Sequence, residues 1–300
     1  MTDTPDWTRS KCRRMRIANI GTSFLKRSVG LMALLPGVAL ADGYPEPGEV
    51  GLQAAATPIA EEIVFFHNWI LLPIITFICV FVLALLAYVI FRFNEKANPT
   101  PTRTTHHSGL EVAWTVTPVM ILVVIAIPSF RLLTHQLTMP AADITLKATG
   151  KQWYWTYTYP KDQGGGFEFD SEMIQAADLK PGDIRQLSVD NEAVVPVGKT
   201  VLVQVTAADV IHAFTIPSFG IRIDAVPGRM NETWFKAERE GVYYGQCTKL
   251  CGKDHSDMPI AIRVVSQEKY DAWLAEAAKK FASKDSTPLR LADASAAKQQ

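Results

Sequence analysis

The stretch Tyr244-Gly245-Gln246-Cys247-Thr248-Lys249-Leu250-Cys251-Gly252-Lys253-Asp254-His255-Ser256-Asp257-Met258-Pro259 places two thiols, an imidazole and a thioether within twelve residues. A second imidazole, His212, stands upstream, just beyond a strongly strand-like run. Thiolates and thioethers are soft ligands, and Cys, His and Met together select copper. A zinc site would more often show paired C-x-x-C units and no methionine. Cys-x3-Cys in a turn lets both sulfurs converge on one point, with His255 and Met258 reaching it from the next turn. A loop between two sandwich strands offers that spacing. Taken alone, Cys247 and Cys251 read as a periplasmic disulfide, His212 as an ordinary histidine and Met258 as core. Taken together, they read as a copper site.

Around this loop, residues 143–265 carry short β-rich runs, such as 144–149 and 200–207. In the second, Val201, Val203 and Val205 alternate with Leu202, Gln204 and Thr206, which suits a strand with one buried face. Gly164-Gly165-Gly166, Pro181-Gly182, Val197-Gly198 and Pro227-Gly228 punctuate the runs. This spacing predicts an antiparallel sandwich or barrel. Residues 267–281 predict a helix with Tyr270, Trp273 and Leu274 on one face, and residues 282–300 read as a disordered tail.

Upstream the composition turns apolar. A first membrane span is predicted over residues 69–91, whose core from Ile70 to Ile90 carries no charge and suits a ~30 Å hydrocarbon layer. Trp69 and Tyr88 lie near its ends as interfacial aromatics. Pro73 falls near its start, where a missing N–H costs little, and Cys79 falls in its middle as an inert apolar side chain. A second span is predicted over residues 113–130, with Pro118 and Pro128 tolerated as in other membrane helices. Between the spans Arg92, Lys96, Arg103, His106 and His107 outweigh Glu95 and Glu111. That puts this loop in the cytoplasm and everything after Arg131 in the periplasm.

The N-terminus implies the same topology. Lys11, Arg13, Arg14, Arg16, Lys26 and Arg27 precede an apolar stretch at 29–40 that ends in Ala39-Leu40-Ala41, a small-x-small cleavage pattern. Residues 1–41 therefore read as a signal peptide, with an uncleaved anchor as the alternative. Residues 42–62, rich in Pro, Gly and Ala, read as a flexible periplasmic lead-in. A transmembrane hairpin over 63–134 and a β-domain with its C-terminal helix over 135–281 complete the organisation. The 300 residues hold 30 basic and 30 acidic side chains. With no long basic stretch beyond the extreme N-terminus, a nucleic-acid partner is excluded. Four cysteines, two of them isolated, make no disulfide framework.

The metal loop resembles the dinuclear copper centre, CuA, of the cytochrome c oxidase subunit II family, and the resemblance covers about residues 60–275. Trp153-Tyr154-Trp155-Thr156-Tyr157 is similar to the family's aromatic box. Asp190-Asn191 with Val195-Pro196, Asp209-Val210-Ile211-His212, Ile216-Pro217-Ser218-Phe219-Gly220 and Asp224-Ala225-Val226-Pro227-Gly228-Arg229 match in the same order. The resemblance implies a membrane α-helical hairpin of two spans followed by an all-β, cupredoxin-like Greek-key barrel. It implies two copper ions bridged by the sulfurs of Cys247 and Cys251 and bound one each by His212 and His255. Met258 would be the weak ligand of one copper and the backbone carbonyl of Lys249 that of the other.

The same resemblance implies that electrons from cytochrome c arrive at Trp153, and that Asp170, Asp190 and Asp209 belong to an acidic docking patch. Thr158 and Ala208 stand where the family often has acids. Glu111 would lie at the entrance of a proton path into oxidase subunit I. Each has a plain alternative: Trp153 as core, the acids as a solvated face, Glu111 as a helix-start charge favoured by the dipole. Lys249 departs from the family, which usually carries a glutamate there whose side chain reaches a magnesium ion at the subunit I interface. Magnesium takes hard oxygen ligands, and an ammonium is not one. The interface magnesium is therefore expected to be absent, held by subunit I and water alone, or replaced by the ammonium.

The implied function is that of a multi-pass subunit of the bacterial inner membrane, with its C-terminal domain in the periplasm. It would take electrons from cytochrome c and pass them to the haems of subunit I, where a proton-translocating terminal oxidase reduces oxygen to water. Its partners would be subunit I, the other oxidase subunits, cytochrome c and the lipid bilayer. A copper-free quinol oxidase subunit II would lack the ligand set. A membrane-anchored cupredoxin-type copper-binding or chaperone protein would not need the Trp153 box or Glu111. A nitrous oxide reductase would need a second catalytic domain.

Overall fold

The strand Thr200–Ala207 buries Val201, Val203, Val205 and Ala207 and turns the intervening side chains outward, as period-two burial requires. In the computed structural model, residues 43–100 and 102–281 are described. The expected signal peptide at 1–41 and tail at 282–300 lie outside the described residues. The described strands are β1 (Ile144–Lys151), β2 (Tyr154–Tyr159), β3 (Phe167–Ser171), β4 (Ala193–Pro196), β5 (Thr200–Ala207), β6 (His212–Ile216), β7 (Ile221–Ala225), β8 (Asn231–Lys236), β9 (Gly241–Gln246) and β10 (Pro259–Val265).

These strands form a five-stranded sheet ordered β3-β2-β1-β5-β8, a three-stranded sheet ordered β4-β10-β9 and the β6-β7 ribbon. Trp155, Tyr157, Leu146, Phe214, Phe219, Phe235, Tyr243, Ile260 and Ile262 fill the space between them and are fully buried. Ring pairs tie the layers together, Trp155 on Phe214 at 5.3 Å and Phe219 on Phe235 at 4.5 Å. The antiparallel expectation needs correction at two places. β1 runs parallel to β5 and β4 parallel to β10, because each pair is joined by long crossings through other strands and not by a hairpin. The glycine turns stand where expected, with Gly164, Gly182, Gly198 and Gly228 all at positive φ.

Two long helices precede the sheets: α1 (Pro58–Arg92) and α2 (Ser108–Leu137). Both exceed their predicted spans. α1 starts at Pro58 and not near Trp69, because Thr57 caps it. The Thr57 hydroxyl accepts from Ala60 N–H at 3.1 Å and donates to the Phe219 carbonyl at 2.8 Å. Pro73 consequently lies inside the helix. The turn before it, Phe66–Leu71, is a wider π turn, which accommodates a ring that cannot donate to the ladder. α2 runs past its predicted end to meet the β-domain: Gln136 donates to Gly220 O at 3.0 Å, and Trp234 Nε1–H donates to Gln136 O at 3.2 Å. No residue of α2 is buried within the chain, nor any of α1 from Phe66 onward. That leaves the apolar surface of both helices uncovered by the rest of the described chain.

The lead-in is also corrected. Residues 43–57 are tied down: Tyr244 N–H donates to Gly43 O at 2.7 Å, Ala56 N–H to Ser218 O at 2.8 Å and Arg239 to Ala55 O at 2.7 Å. The first of these bonds covers part of the free edge of β9, and the other two tie the segment to the turn at Ser218 and to Arg239, so the segment is ordered by the domain it borders. The C-terminal helix α3 (Gln267–Phe281) forms where predicted. Trp273 packs on Tyr159 at 5.2 Å and Phe281 on Phe169 at 4.7 Å.

Candidate metal centre

The loop between β9 and β10 carries four of the five candidate side-chain ligands, and His212 opens β6 beside it. Two close approaches hold these pieces together. A side chain at Gly245 would put its Cβ 1.8 Å from the Thr215 carbonyl, and one at Gly150 would put it 2.9 Å from the His212 ring. Only glycine lets the backbones of β9 and β6 approach this closely and lets β1 pass under the imidazole. The loop closes on itself through Cys247 N–H, which donates to Met258 O at 3.1 Å, and is tied to β6 by Thr248 N–H, which donates to Ala213 O at 3.4 Å.

The ligand atoms of His212, Cys247 and Cys251 lie within 4.8 Å of one another, and all three residues are buried. The two sulfurs are 3.9 Å apart and both thiols are free, so the disulfide alternative is not what the fold builds. His255 Nδ1 lies 3.4 Å from Cys251 Sγ, and the Lys249 carbonyl lies 3.3 Å from Cys247 Sγ. Met258 is fully buried. Asp209 Oδ1 accepts from His212 Nε2–H at 2.9 Å and from Val210 N–H at 2.6 Å, and its Oδ2 accepts from Gln152 N–H at 2.7 Å. That fixes the imidazole with Nδ1 as its free nitrogen. Nδ1 is buried without a hydrogen-bond partner, a cost that a bound metal ion removes. Two thiols beside such an orphaned imidazole nitrogen, with a second imidazole at Cys251, fit a soft metal ion.

Proton affinities reflect the crowding. Burial pushes the Cys247 thiol up, but the His212 imidazole beside it and the Ala213 and Lys249 backbone outweigh that and bring it to about 6. Cys251 is pushed up to about 12, by burial first and then by the negative Cys247 beside it. Burial pulls the His212 imidazole down, but Cys247 and Asp209 together hold it above its ordinary value. The metal-free cluster thus carries one thiolate and retains protons that a metal cation displaces.

Trp153 is half-buried and packs against this cluster. Its indole N–H donates to the Cys251 carbonyl at 3.3 Å, and the Gln152 amide donates to the same oxygen at 2.9 Å. Trp155, by contrast, is wholly core. Beside Trp153 a cleft is lined by Tyr154, Glu172, Met173, Gln175, Asp254 and Asp257. The expected docking acids are engaged locally. Asp170 accepts from Thr156 at 2.6 Å, Asp190 accepts from Glu172 N–H at 2.8 Å, and Asp209 is spent on His212 and Gln152. Glu111 lies in the first turn of α2, where its carboxylate accepts the His107 N–H at 3.1 Å. That is roughly 40 Å along the helix from the contact at Gln136.

Sequence reading missed Gln152, the orienting role of Asp209 and the cleft acids Glu172, Asp254 and Asp257. Asp209 had a usable signal, an acid three residues before a ligand histidine. The cleft acids had none, because they come together from separate loops.

A cupredoxin-like barrel with a buried soft-ligand cluster, carried on a two-helix membrane anchor, defines a membrane-bound electron-transfer subunit. The family model described as "Cytochrome C oxidase subunit II, periplasmic domain" matches residues 144–265, and the one for its transmembrane domain matches residues 45–132. The "Probable cytochrome c oxidase subunit 2" of Rickettsia felis is 52% identical over 231 residues, 77% of this chain and 72% of the relative. The "Cytochrome c oxidase subunit 2" of Cereibacter sphaeroides is 46% identical over 254 residues, 78% of this chain and 82% of the relative. The crystal structure of the periplasmic domain of subunit II of cytochrome oxidase (CoxB) of Bradyrhizobium japonicum is similar at 61% identity and a TM-score of 0.45. It covers 48% of this chain and 99% of its own.

The chain belongs to the cytochrome c oxidase subunit II family. It is the electron-input subunit of a haem-copper terminal oxidase, held in the inner membrane with its C-terminal domain in the periplasm. Its partners are the other subunits of that oxidase.

Proposed function

We propose that the loop holds two copper ions as a CuA centre and that each residue of the cluster has a distinct part in it. Cys247 and Cys251 would hold the ions through their sulfurs, and His212 and His255 through their imidazoles. Met258 and the Lys249 carbonyl complete the set as weak ligands. Two copper ions in such a cage share one electron and exchange it with little rearrangement. The observation that carries this reading is the buried, unpartnered Nδ1 of His212 beside two free thiols. Asp209 serves the centre from outside it, by holding the His212 ring in one tautomer and orientation.

Cytochrome c delivers electrons at Trp153, whose indole N–H reaches a ligand residue through a single hydrogen bond to the Cys251 carbonyl. Charge complementarity steers that encounter. Asp170, Asp190 and Asp209 supply part of the negative field, and Glu172, Asp254 and Asp257 supply the part nearest the indole. Lipid surrounds the two spans. Glu111 serves as the cytoplasmic mouth of a proton path into the catalytic subunit. An interface magnesium ion finds no ligand in Lys249, whose side chain has no lone pair to offer when charged.

The test is stopped-flow reduction of the purified oxidase by reduced cytochrome c. Trp153→Phe keeps an aromatic ring but loses the N–H. It should slow electron uptake by at least an order of magnitude, with cytochrome binding and copper content unchanged. An unaltered rate returns Trp153 to a packing role.

A further inference from the structure

Between the periplasmic ends of α1 and α2 lies a cleft of about 540 Å³. Its walls are apolar: Phe65, Phe66 and Ile70 come from α1, and Pro128 and Leu132 from α2. Both helices depart from regular geometry at this level, α1 by the π turn at Phe66–Leu71 and α2 by Pro128 in its interior. A wide turn and a proline ring interrupt the side-chain ridges by which helices interlock, so a gap stays open between them. The rim is charged, with Glu61, Glu62 and Arg131 lining the same cleft. Glu62 pairs with His135 at 3.0 Å, whereas neither Glu61 nor Arg131 has an ion-pair partner among the described residues. Arg131 is also the first residue beyond the apolar stretch at 113–130. It therefore lies at the depth where hydrocarbon gives way to lipid head groups.

The cleft makes three demands on an occupant. Apolar walls at membrane depth accept hydrocarbon. A free guanidinium at head-group level accepts a phosphate through paired N–H donors. A free carboxylate on the same rim accepts a cation with N–H groups to donate. A phospholipid with a primary-amine head group meets all three. A choline head group has no N–H to offer Glu61, and a glycerol head group has no cation. We propose that the cleft holds one phosphatidylethanolamine molecule of the surrounding bilayer, its phosphate on Arg131, its ammonium on Glu61 and an acyl chain against Ile70 and Pro128. The lipid joins α1 to α2 just below the point where Gln136 fastens α2 to the β-domain. This site is independent of the metal centre.

The test uses the whole oxidase, purified and placed in nanodiscs doped with a lipid that carries a photoreactive group on one acyl chain. Phosphatidylethanolamine, phosphatidylcholine and phosphatidylglycerol probes are compared. Cross-linked peptides are mapped by mass spectrometry, and retention of this chain in the complex confirms assembly of each variant. In the wild type the ethanolamine probe should label residues 65–70 and 128–132 about tenfold more than the choline probe does. Arg131→Gln should lower that labelling about tenfold, and Arg131→Lys should keep most of it. Glu61→Gln should retain labelling but lose the preference for ethanolamine over choline. Equal labelling by all three probes overturns the proposal and leaves an unselective lipid contact. Absence of labelling at these residues overturns it too, and shows the cleft covered by another subunit. Should Arg131→Gln fail to assemble, Glu61→Gln still decides: a preference for ethanolamine that survives this change contradicts the proposed pairing.

Discussion

Met258 answers to two demands at once, since a fully buried methionine fills core volume whether or not its sulfur binds metal. The two are separable by substitution. Met258→Leu preserves volume and should cost less than about 1.5 kcal/mol, whereas Met258→Ala should cost about 2–5 kcal/mol. If the thioether is a copper ligand, the leucine variant should keep its melting temperature near wild type but show a shifted reduction potential and an altered near-infrared band. An unchanged potential in that variant leaves Met258 as core alone. The thiols differ just as sharply. With Cys247 at about 6 and Cys251 at about 12, Cys247 is thiolate above about pH 6 and loses its nucleophilicity as pH falls through that value. Alkylation of the metal-free protein, mapped by mass spectrometry at pH 5 to 9 (roughly spanning the ordinary thiol range), should label Cys247 first throughout. Preferential labelling of Cys251 contradicts that assignment. Among single residues, the candidate metal group was legible because soft side chains rarely gather at such close spacing except to hold a metal ion, and the fold brings His212, Cys247 and Cys251 together. Gly150 and Gly245 were not, since their role depends on what approaches them from distant strands.

Among the elements, strands and the C-terminal helix were legible wherever one face is buried, as in the valine alternation of β5 and the Tyr270–Trp273 face of α3. The parallel pairings were hidden, because periodicity within a strand says nothing about which strand lies beside it. The helices were under-read for a different reason. Hydropathy marks the part of a helix within lipid, whereas α1 and α2 continue into the β-domain through capping and cross-domain hydrogen bonds that a hydropathy window does not register. Glu111 acts at the start of α2, where its carboxylate closes the first turn through the His107 N–H. Glu111→Gln preserves that acceptor but cannot carry a proton. It should leave helix and complex intact and lower steady-state turnover about tenfold or more, while reduction of the copper centre by cytochrome c stays fast. Unchanged turnover in native membranes assigns Glu111 to the helix start.

Across the entire chain, a hydrophobic hairpin and a polar β-domain are joined by a short connection and by the packed segment at 43–57. Its organisation into anchor and domain could be read from hydropathy, and its chemistry from one loop. The acidic cleft beside Trp153 needed the fold, because Glu172 and the pair Asp254 and Asp257 are far apart in sequence. Whether this cage holds two copper ions sharing one electron is decided by copper analysis and EPR of the purified, oxidised protein. Two copper ions per chain are expected, with a hyperfine pattern from one unpaired electron spread equally over two nuclei. Cys247→Ser or Cys251→Ser should abolish it. A single copper per chain, with the electron localised on one nucleus, would rule out the shared two-copper centre.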